Sequence, residues 1–337
     1  AEERQLRRMI ERRFDILDQV RQVSLSDNVP STLSIGIGQG ASSLQESEQM
    51  ARQALEMALG RGGDQVAIKS GSSFAFYGGT SKGVEKRTKV KTRIMASALS
   101  ELIGTAENVL IMGHQFADLD CLGSAVGMYK AVRQMGKPAA VVLNRQRNLA
   151  FPLYNRLAQN GYADAFVEPD LAIDLIGKKT LLVVVDTHLP HILESREVYS
   201  ACKTVAVIDH HRKMVGHIDN AVIFYHEPYA SSASEMVTEL VQYFGDHVKI
   251  GKMEAEALLS GIILDTKNFV MKTGVRTFEA AAYLRKQGAD TVEVRKLFSN
   301  SMDDYQKKTR LVASAEIYRG CAIASGEYSE DIKLIAP

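Results

Sequence analysis

The sequence predicts an α/β fold: an open, mostly parallel β-sheet flanked by helices and preceded by a partial α+β module. Two near-continuous, valine-rich apolar runs, LLVVVD (181–186) and TVAVID (204–209), are typical of strands buried on both faces in helix-covered parallel sheets. Over residues 105–300, runs of this kind alternate with helical patterns, which favours an α/β arrangement. A net charge of +1 and 45% apolar residues exclude a polybasic nucleic-acid coat and wholesale disorder.

The first 80 residues predict the smaller module. Apolar residues at helical spacing indicate one amphipathic helix over 2–24, and TLSIGIG (32–38) indicates a strand. Ser43 and Glu46 match the capping-box pattern that begins a helix. Residues 1–80 therefore read as part of a small α+β domain.

Two connecting segments flank the predicted α/β domain. Residues 81–104 read as a connector leading into a helix, and the basic stretch 80–93 is expected to be solvated, with a phosphate-binding patch as the alternative. Residues 301–337 read as a linker helix over 301–318 followed by the start of a further, truncated domain.

The α/β segment contains further predicted elements. NVLIMG (108–113) and AAVVLN (139–144) predict strands, a helix is expected over 121–135, and EAEALLSGIILDT (254–266) predicts another helix. Ligands of open parallel sheets bind at the carboxyl ends of the strands, so polar residues at these ends are informative.

Acidic residues and histidines follow several of these strand and helix ends: His114, Asp118, Asp120, Asp186, Asp209, His210, His211 and Asp265. Taken singly, an aspartate here is commonly a turn or helix cap, and a histidine is commonly a hydrogen-bonded structural residue. If the ends are neighbours, however, several carboxylates share one rim, and bound divalent cations would remove their mutual repulsion.

The donor types restrict the metal. The three cysteines are far apart and form no CxxC pair, which disfavours a thiolate cage and a disulfide framework. Carboxylate and imidazole donors suit Mn²⁺, with Mg²⁺, Co²⁺ and Fe²⁺ as alternatives. Asp118 and Asp120 lie close enough in sequence to address two metals, and a single aspartate such as Asp186 can bridge them. Hydrolysis of a phosphoester or phosphoanhydride is the expected reaction class.

Four motifs in order resemble the DHH phosphoesterase family: GHQFADLDCLGSA (113–125), VVVDTH (183–188), VIDHH (207–211) and GIILDT (261–266). The resemblance implies one metal held by His114, Asp118 and Asp186, and a second held by Asp120, Asp186, His210 and Asp265. It also implies that His211 contacts the phosphate, that Asp209 orients a histidine, and that a metal-bridging hydroxide is the nucleophile. Cys121 then reads as a buried small residue and not as a ligand.

A second resemblance lies in the N-terminal module. Residues 32–69 look like the C-terminal half of a GGDEF domain, and the signature that names that family does not occur in this sequence. A GGDEF-like module ahead of a DHH domain resembles the membrane-anchored cyclic-di-AMP phosphodiesterases of the GdpP type. That resemblance implies a degenerate GGDEF domain, hydrolysis of cyclic di-AMP to linear pApA with Mn²⁺ preferred, and a following DHHA1 domain. The GGGH-type segment of DHHA1 is absent from this sequence, so we expect metal binding but weak substrate binding.

Two alternative functions stay open at this point. A nanoRNase or RecJ-like exonuclease acting on short oligonucleotides carries the same motif set, although the +1 charge gives little support for a long nucleic-acid track. A catalytically silent, nucleotide-binding regulatory fragment is the other alternative. An inorganic pyrophosphatase fits less well, because it gives the GGDEF-like module no role.

Partners and location follow from the same resemblance. We expect a small cyclic dinucleotide as substrate, no long nucleic acid, and a homodimer built on the apolar stripes of the first helix and of the helix near 86–103. No apolar run approaches the ~20 residues of a membrane helix, and the first residue is Ala1. The chain is expected to be a soluble cytoplasmic piece of a parent protein anchored at the cytoplasmic face of the cell membrane, with the membrane reached only through segments outside this chain.

Overall fold

The N-terminal module is a three-stranded sheet with helices packed on it. A computed structural model describes residues 3–23, 31–78, 89–298 and 302–325. The elements of the module are α1 (Glu3–Glu11), α2 (Ile16–Arg21), β1 (Ile35–Gln39), α3 (Leu44–Gly60), β2 (Gln65–Ser70) and β3 (Ser73–Gly78). Strand β2 lies in the middle, parallel to β1 and antiparallel to β3.

The predicted single helix over 2–24 is wrong, because the chain breaks between α1 and α2. Arg13 and Phe14 adopt left-handed backbone angles, with φ of 51° and 54°. The break turns the Phe14 side chain into the module, where it is buried against Tyr77 with ring centroids 5.1 Å apart. Packing of this aromatic pair therefore overrides the helical periodicity of the sequence.

The predicted helix start at Ser43 is confirmed, although the capping box is incomplete. The Ser43 hydroxyl accepts a hydrogen bond from the Glu46 amide at 3.1 Å. The Glu46 carboxylate reaches back to the amide of Ser42, at 2.7 Å, instead of the amide of Ser43. One of the free amides at the start of α3 is satisfied in this way, and the Glu46 carboxylate also fixes the residue before the cap.

The second unit is built on a six-stranded sheet in which every neighbouring pair is parallel. Its order is β6-β5-β4-β7-β8-β9. Its elements, after the preceding helix α4 (Lys89–Thr105), are β4 (Asn108–Met112), α5 (Leu119–Gln134), β5 (Ala139–Val142), α6 (Phe151–Leu157), β6 (Phe166–Val167), α7 (Pro169–Ala172), β7 (Thr180–Val185), α8 (Arg196–Ala201), β8 (Thr204–Asp209), β9 (Ile223–His226), α9 (Ala233–Val241), α10 (Lys252–Asp265), α11 (Val275–Lys286) and α12 (Thr291–Lys296). This arrangement confirms the predicted fold class.

Both faces of this sheet are covered, as the valine-rich runs predict. Alternate residues of β7, such as Val183, pack into a core with α5, α9 and α10. The intervening residues, such as Val184, pack with α7 and α8 on the opposite face. All six residues of β7 are buried, so the strand shows no polar alternation in its sequence.

The last described elements are α13 (Met302–Ala313) and a hairpin of β10 (Glu316–Tyr318) and β11 (Cys321–Ile323). The predicted linker helix therefore ends at Ala313 and not at residue 318. The predicted boundaries at residues 80 and 300, the segment 81–88 and residues 326–337 lie outside the described residues.

The two apolar stripes that motivated a homodimer are largely used inside the chain. Leu6 and Leu17 are buried in the core of the N-terminal module. Leu99 and Ile103 of α4 are buried in the main core. The homodimer stays a prediction, and these stripes give it little support. Among the described helices, none has the length and apolar character that crossing a bilayer demands.

Candidate active site

The predicted site residues converge at the carboxyl ends of three adjacent strands. Strand β4 leads to His114, β7 leads to Asp186, and β8 ends at Asp209, followed by His210. The sheet order reverses its direction at β4 and β7, because the chain extends the sheet first through β5 and β6 and then through β8 and β9. Such a switch point is where open parallel sheets form ligand crevices.

Asp186 occupies the middle of the site. Its Oδ2 lies 3.3 Å from Nε2 of His114, and its Oδ1 lies 3.3 Å from Nε2 of His210. The residue is only 3% exposed, and its backbone is left-handed, with φ of 59°. Strained backbone of this kind at a strand end directs the carboxylate between the two histidines.

His210 is surrounded by carboxylates from three different elements. Its Nε2 lies 3.1 Å from Asp265 Oδ2 and 3.8 Å from Asp120 Oδ2, in addition to its contact with Asp186. Asp265 is the last residue of α10. Among the described residues, both ring nitrogens of His210 and Oδ1 of Asp186 are buried without a hydrogen bond of normal geometry. Buried polar atoms in this state ordinarily have a partner, such as an ion.

The two aspartates after β4 also accept hydrogen bonds from helix ends. Asp118 Oδ1 accepts from the amides of Asp120 and Cys121, at 2.9 and 3.0 Å, and so caps α5. Asp120 is inside the first turn of α5, because the helix begins at Leu119, two residues before the predicted start at residue 121.

The fully buried carboxylate of Asp120 anchors a second helix. Its Oδ2 and Oδ1 accept from the amides of Ala233 and Ser234, at 2.7 and 2.8 Å, at the beginning of α9. The partial positive charge at the start of a helix stabilises a carboxylate in this position. The arrangement therefore fixes Asp120 while leaving Oδ2 facing His210.

Asp209 is fully buried between two histidines. It contacts Nδ1 of His188, and its Oδ1 accepts from Nδ1 of His211 at 2.8 Å. His211 is half exposed and lies 3.7 Å from Oδ1 of Asp186. Asp209 thus lies behind the site and fixes the orientation of both imidazole rings.

The electrostatics of the site are dominated by crowded carboxylates. Burial and the neighbouring charge of Asp186 raise the pKa of Asp118 to about 6. Burial, Asp186 and Asp265 raise the pKa of Asp120 well above its ordinary value. Although burial opposes it, the close imidazoles of His114 and His210 lower the pKa of Asp186. Positive charge at the centre of the site therefore stabilises the ionised form of its carboxylates.

The donor set fits divalent cations. Three groups bring their ligand atoms within 4.8 Å of one another: His114 with Cys121 and Asp186, Asp186 with His210 and His211, and Asp120 with His210 and Asp265. Carboxylate and imidazole donors predominate, which suits Mn²⁺, Mg²⁺ or Fe²⁺. The buried, unpaired atoms of Asp186 and His210 are positioned as ligands would be.

Two residues near the site were not predicted to take part in it. His188 is buried behind the site, and the motif VVVDTH, in which it follows Asp186 closely, could have indicated it. Cys121 is buried as expected, yet its sulfur lies within the group formed by His114 and Asp186. The sequence carries no signal for that proximity, because it arises where α5 packs under the end of β4.

The site opens into a cleft of about 550 Å³. His114, Asp118, Asp186, His211 and Asp265 line it. His210 and Asp120 do not line it and lie deeper in the protein. A cleft of this size accommodates a small organic ligand.

Comparison with family models matches two parts of the chain. Residues 108–262 match the DHH family, N-terminal domain. Residues 1–76 match the GGDEF domain of cyclic-di-AMP phosphodiesterase GdpP-like proteins.

Curated relatives match almost the whole chain. The cyclic-di-AMP phosphodiesterase GdpP of Geobacillus thermodenitrificans is 46% identical over 94% of this chain and 49% of its own length. The cyclic-di-AMP phosphodiesterase PdeA of Listeria monocytogenes is 42% identical over 98% of this chain and 51% of its own length. The bifunctional oligoribonuclease and PAP phosphatase NrnA of Thermus thermophilus is 27% identical over 62% of this chain and 58% of its own. The chain spans about half the length of the first two.

A solved structure supports the fold. An exopolyphosphatase-related protein from Bacteroides fragilis superposes with a TM-score of 0.58 at 18% identity, covering 67% of each chain. At this level of identity the likeness concerns the fold alone.

Proposed function

Residues 108–262 belong to the DHH family and residues 1–76 to the GdpP-like GGDEF domains, and from this membership we propose that the chain is the catalytic part of a two-metal phosphodiesterase that hydrolyses cyclic di-AMP to pApA. The observation that carries the proposal is the position of Asp186, with one carboxylate oxygen towards His114 and the other towards His210. The relatives named cyclic-di-AMP phosphodiesterases, which match more than nine-tenths of the chain, support the choice of substrate.

We assign the metal ligands from the motifs. The grouped ligand atoms of Asp120, His210 and Asp265 support the second set, and Oδ1 of Asp118, 4.0 Å from Nε2 of His114, supports the first. One cation would be held by His114, Asp118 and Asp186, and the other by Asp120, Asp186, His210 and Asp265. Two such cations, with Mn²⁺ as the first candidate, supply charge neutralisation at the phosphoryl group and an activated water.

Hydrogen bonds within the chain hold His211 and Asp120 in position for the proposed reaction. The Asp209 carboxylate holds Nδ1 of His211, so the other ring nitrogen of His211 is free to face a phosphate in the cleft. The two amides at the start of α9 hold Asp120 in place before any ligand arrives. Three further polar residues bond inside the protein: Ser231, Ser232 and Arg276. Ser231 donates to Glu235, Ser232 caps α9, and Arg276 pairs with Glu239.

The test compares three substrates with this chain and Mn²⁺: cyclic di-AMP, pApA and a short oligoribonucleotide, each followed by chromatography of the products. We expect cyclic di-AMP to be converted to pApA faster than the linear substrates are consumed. Faster cleavage of pApA and the oligonucleotide would instead favour an activity like that named for NrnA. Cyclic di-AMP binding without any hydrolysis in the presence of bound Mn²⁺ would overturn the proposal in favour of a silent sensor.

A further inference from the structure

The turn that ends α3 in the GGDEF-like module is hydrogen-bonded to the segment 212–214 of the DHH domain. The Lys213 amide donates to the Gly60 carbonyl at 3.4 Å, and the Arg61 guanidinium donates through Nη1 to the Lys213 carbonyl at 3.3 Å. Both backbone groups of Lys213 are therefore engaged by the other module, although the two segments are far apart in sequence.

The Arg61 side chain makes two further contacts beside its bond to Lys213. Its guanidinium lies over the Phe76 ring, 4.1 Å from the centroid, and its Nη1 is 3.6 Å from the sulfur of Met214. The Lys213 side chain packs directly over Gly60, because a Cβ atom added at Gly60 would lie 2.8 Å from Cδ of Lys213. A stacked arginine with a fixed donor geometry holds its acceptor better than a flexible lysine does.

A second bond reinforces this contact. The Tyr229 hydroxyl, from the DHH domain, donates to the carbonyl of Gly62 in the same turn. Gly62 has φ of +104°, a backbone conformation that favours glycine, so the sequence is suited to present this carbonyl outward.

The opposite side of the segment 212–214 belongs to the active site. Arg212 and Met214 line the cleft. The Met214 amide donates to Nε2 of His188 at 2.9 Å, and Nδ1 of His188 contacts Asp209, the residue that also holds His211. The segment is thus attached to the GGDEF-like module on one side and to the histidines of the site on the other.

We propose that Arg61 is a positioning residue for the active site, through which the GGDEF-like module holds the segment 212–214 in the wall of the substrate cleft. The inference rests on the proposed function. Arg61 touches none of the assigned metal ligands, so its loss acts on capture of the dinucleotide more than on the chemical step. A degenerate GGDEF module therefore has a structural task at the DHH site that is independent of any activity of its own.

The experiment combines kinetics with hydrogen exchange on Arg61→Ala, using Arg52→Ala as the matched control. Arg52 is an exposed arginine on α3, the helix that ends just before Arg61, and it pairs with Glu48. For Arg61→Ala we expect the KM for cyclic di-AMP to rise roughly five- to tenfold with kcat within about twofold, as the loss of one hydrogen bond of typical net strength predicts. Exchange at the Lys213 and Met214 amides should accelerate in Arg61→Ala and stay unchanged in Arg52→Ala.

A conservative variant covers the case in which Arg61→Ala fails to fold. Tyr229→Phe removes only the hydroxyl that bonds Gly62, and it should produce the same KM and exchange effects at smaller size. Wild-type exchange at Lys213 and Met214 in the folded variants overturns the proposal, as does a fall in kcat at unchanged KM. If the unsubstituted chain leaves cyclic di-AMP intact, the proposed function fails. The exchange measurement still decides whether Arg61 positions the segment 212–214.

Discussion

Oδ1 of Asp186 lies 3.3 Å from Nε2 of His210, and the second oxygen of the same carboxylate points to the other side of the site. Each oxygen of this buried carboxylate faces a different histidine, and the backbone of Asp186 is left-handed. Few other side chains can satisfy both requirements. Asparagine keeps its size and tolerates the backbone, but it carries no charge.

Asp186→Asn is expected to weaken the one ligand that we propose both cations share. We predict at least a ~100-fold loss of cyclic di-AMP hydrolysis and a loss of the thermal stabilisation by Mn²⁺, because a shared ligand of both cations is weakened. Asp164→Asn, at an exposed position, is the control. Thermal melts with and without Mn²⁺ and a product assay check both effects. Activity close to that of the parent chain would contradict the bridging assignment.

The stabilising effect of Mn²⁺ should depend on pH. The folded-state pKa of Asp118 is raised to about 6 from an ordinary value of 3.8, chiefly by burial. The metal-free folded chain therefore retains a proton that the unfolded chain has lost, and its stability falls as the pH rises through this interval. A cation that replaces the proton should raise the melting temperature more at about pH 7.5 than at about pH 5.

Asp118→Asn removes this titrating group and serves as the comparison for the pH experiment. The difference between the Mn²⁺ effects at the two pH values should shrink in this variant. Equal Mn²⁺ stabilisation of the parent chain at both pH values would contradict the prediction.

Gly261→Ala should damage both stability and the site. A Cβ atom at this position would lie 2.2 Å from Oγ of Ser234 and 2.6 Å from Oδ1 of Asp120, so α10 has to move away. We expect a loss of ~2 kcal/mol in the free energy of unfolding and weaker Mn²⁺ binding. Gly104→Ala in α4, where nothing lies within 4 Å, should instead gain about 0.5 kcal/mol. Urea titrations measure both, and equal stabilities of the two variants would contradict the packing argument.

Arg276→Met tests a buried network that lies apart from the metal-binding groups. Arg276 donates to both oxygens of Glu239 at 2.6 Å and to the Thr92 hydroxyl at 2.9 Å, which ties α11 to α9 and α4. Removing one partner of a buried ion pair should cost roughly 3 kcal/mol of unfolding free energy. The exposed Arg133→Met is the control, measured by urea unfolding. A change below that of the control would show that the pair contributes no net stability.

The strands that could be predicted from the sequence are those buried on both faces, because such strands appear as continuous apolar runs. Strands β7 and β8 are examples, and the polar residues that follow them lie at one edge of the sheet because the two strands are neighbours. The strand Phe166–Val167 escaped prediction because two residues carry no periodicity, and the strand Ile223–His226 was missed as well. Their existence depends on pairing with neighbours already in the sheet.

Hydrogen-bond roles were harder to predict than positions. That Asp120 would accept from the amides of Ala233 and Ser234 depends on how α9 packs against α5. The contact of Arg61 with Lys213 likewise joins two modules, and the sequence pattern of neither module predicts it. Both relationships arise from tertiary packing, which local patterns do not encode.

The groups that converge on Asp186 come from points spread between His114 and Asp265, on strands and helices that meet only when the sheet and its covering helices have docked. An unfolded or loosely collapsed chain cannot present them together. On the proposed function, cation uptake would therefore report completed folding: titration with Mn²⁺ would count the correctly folded molecules in a preparation, and its time course would follow refolding directly.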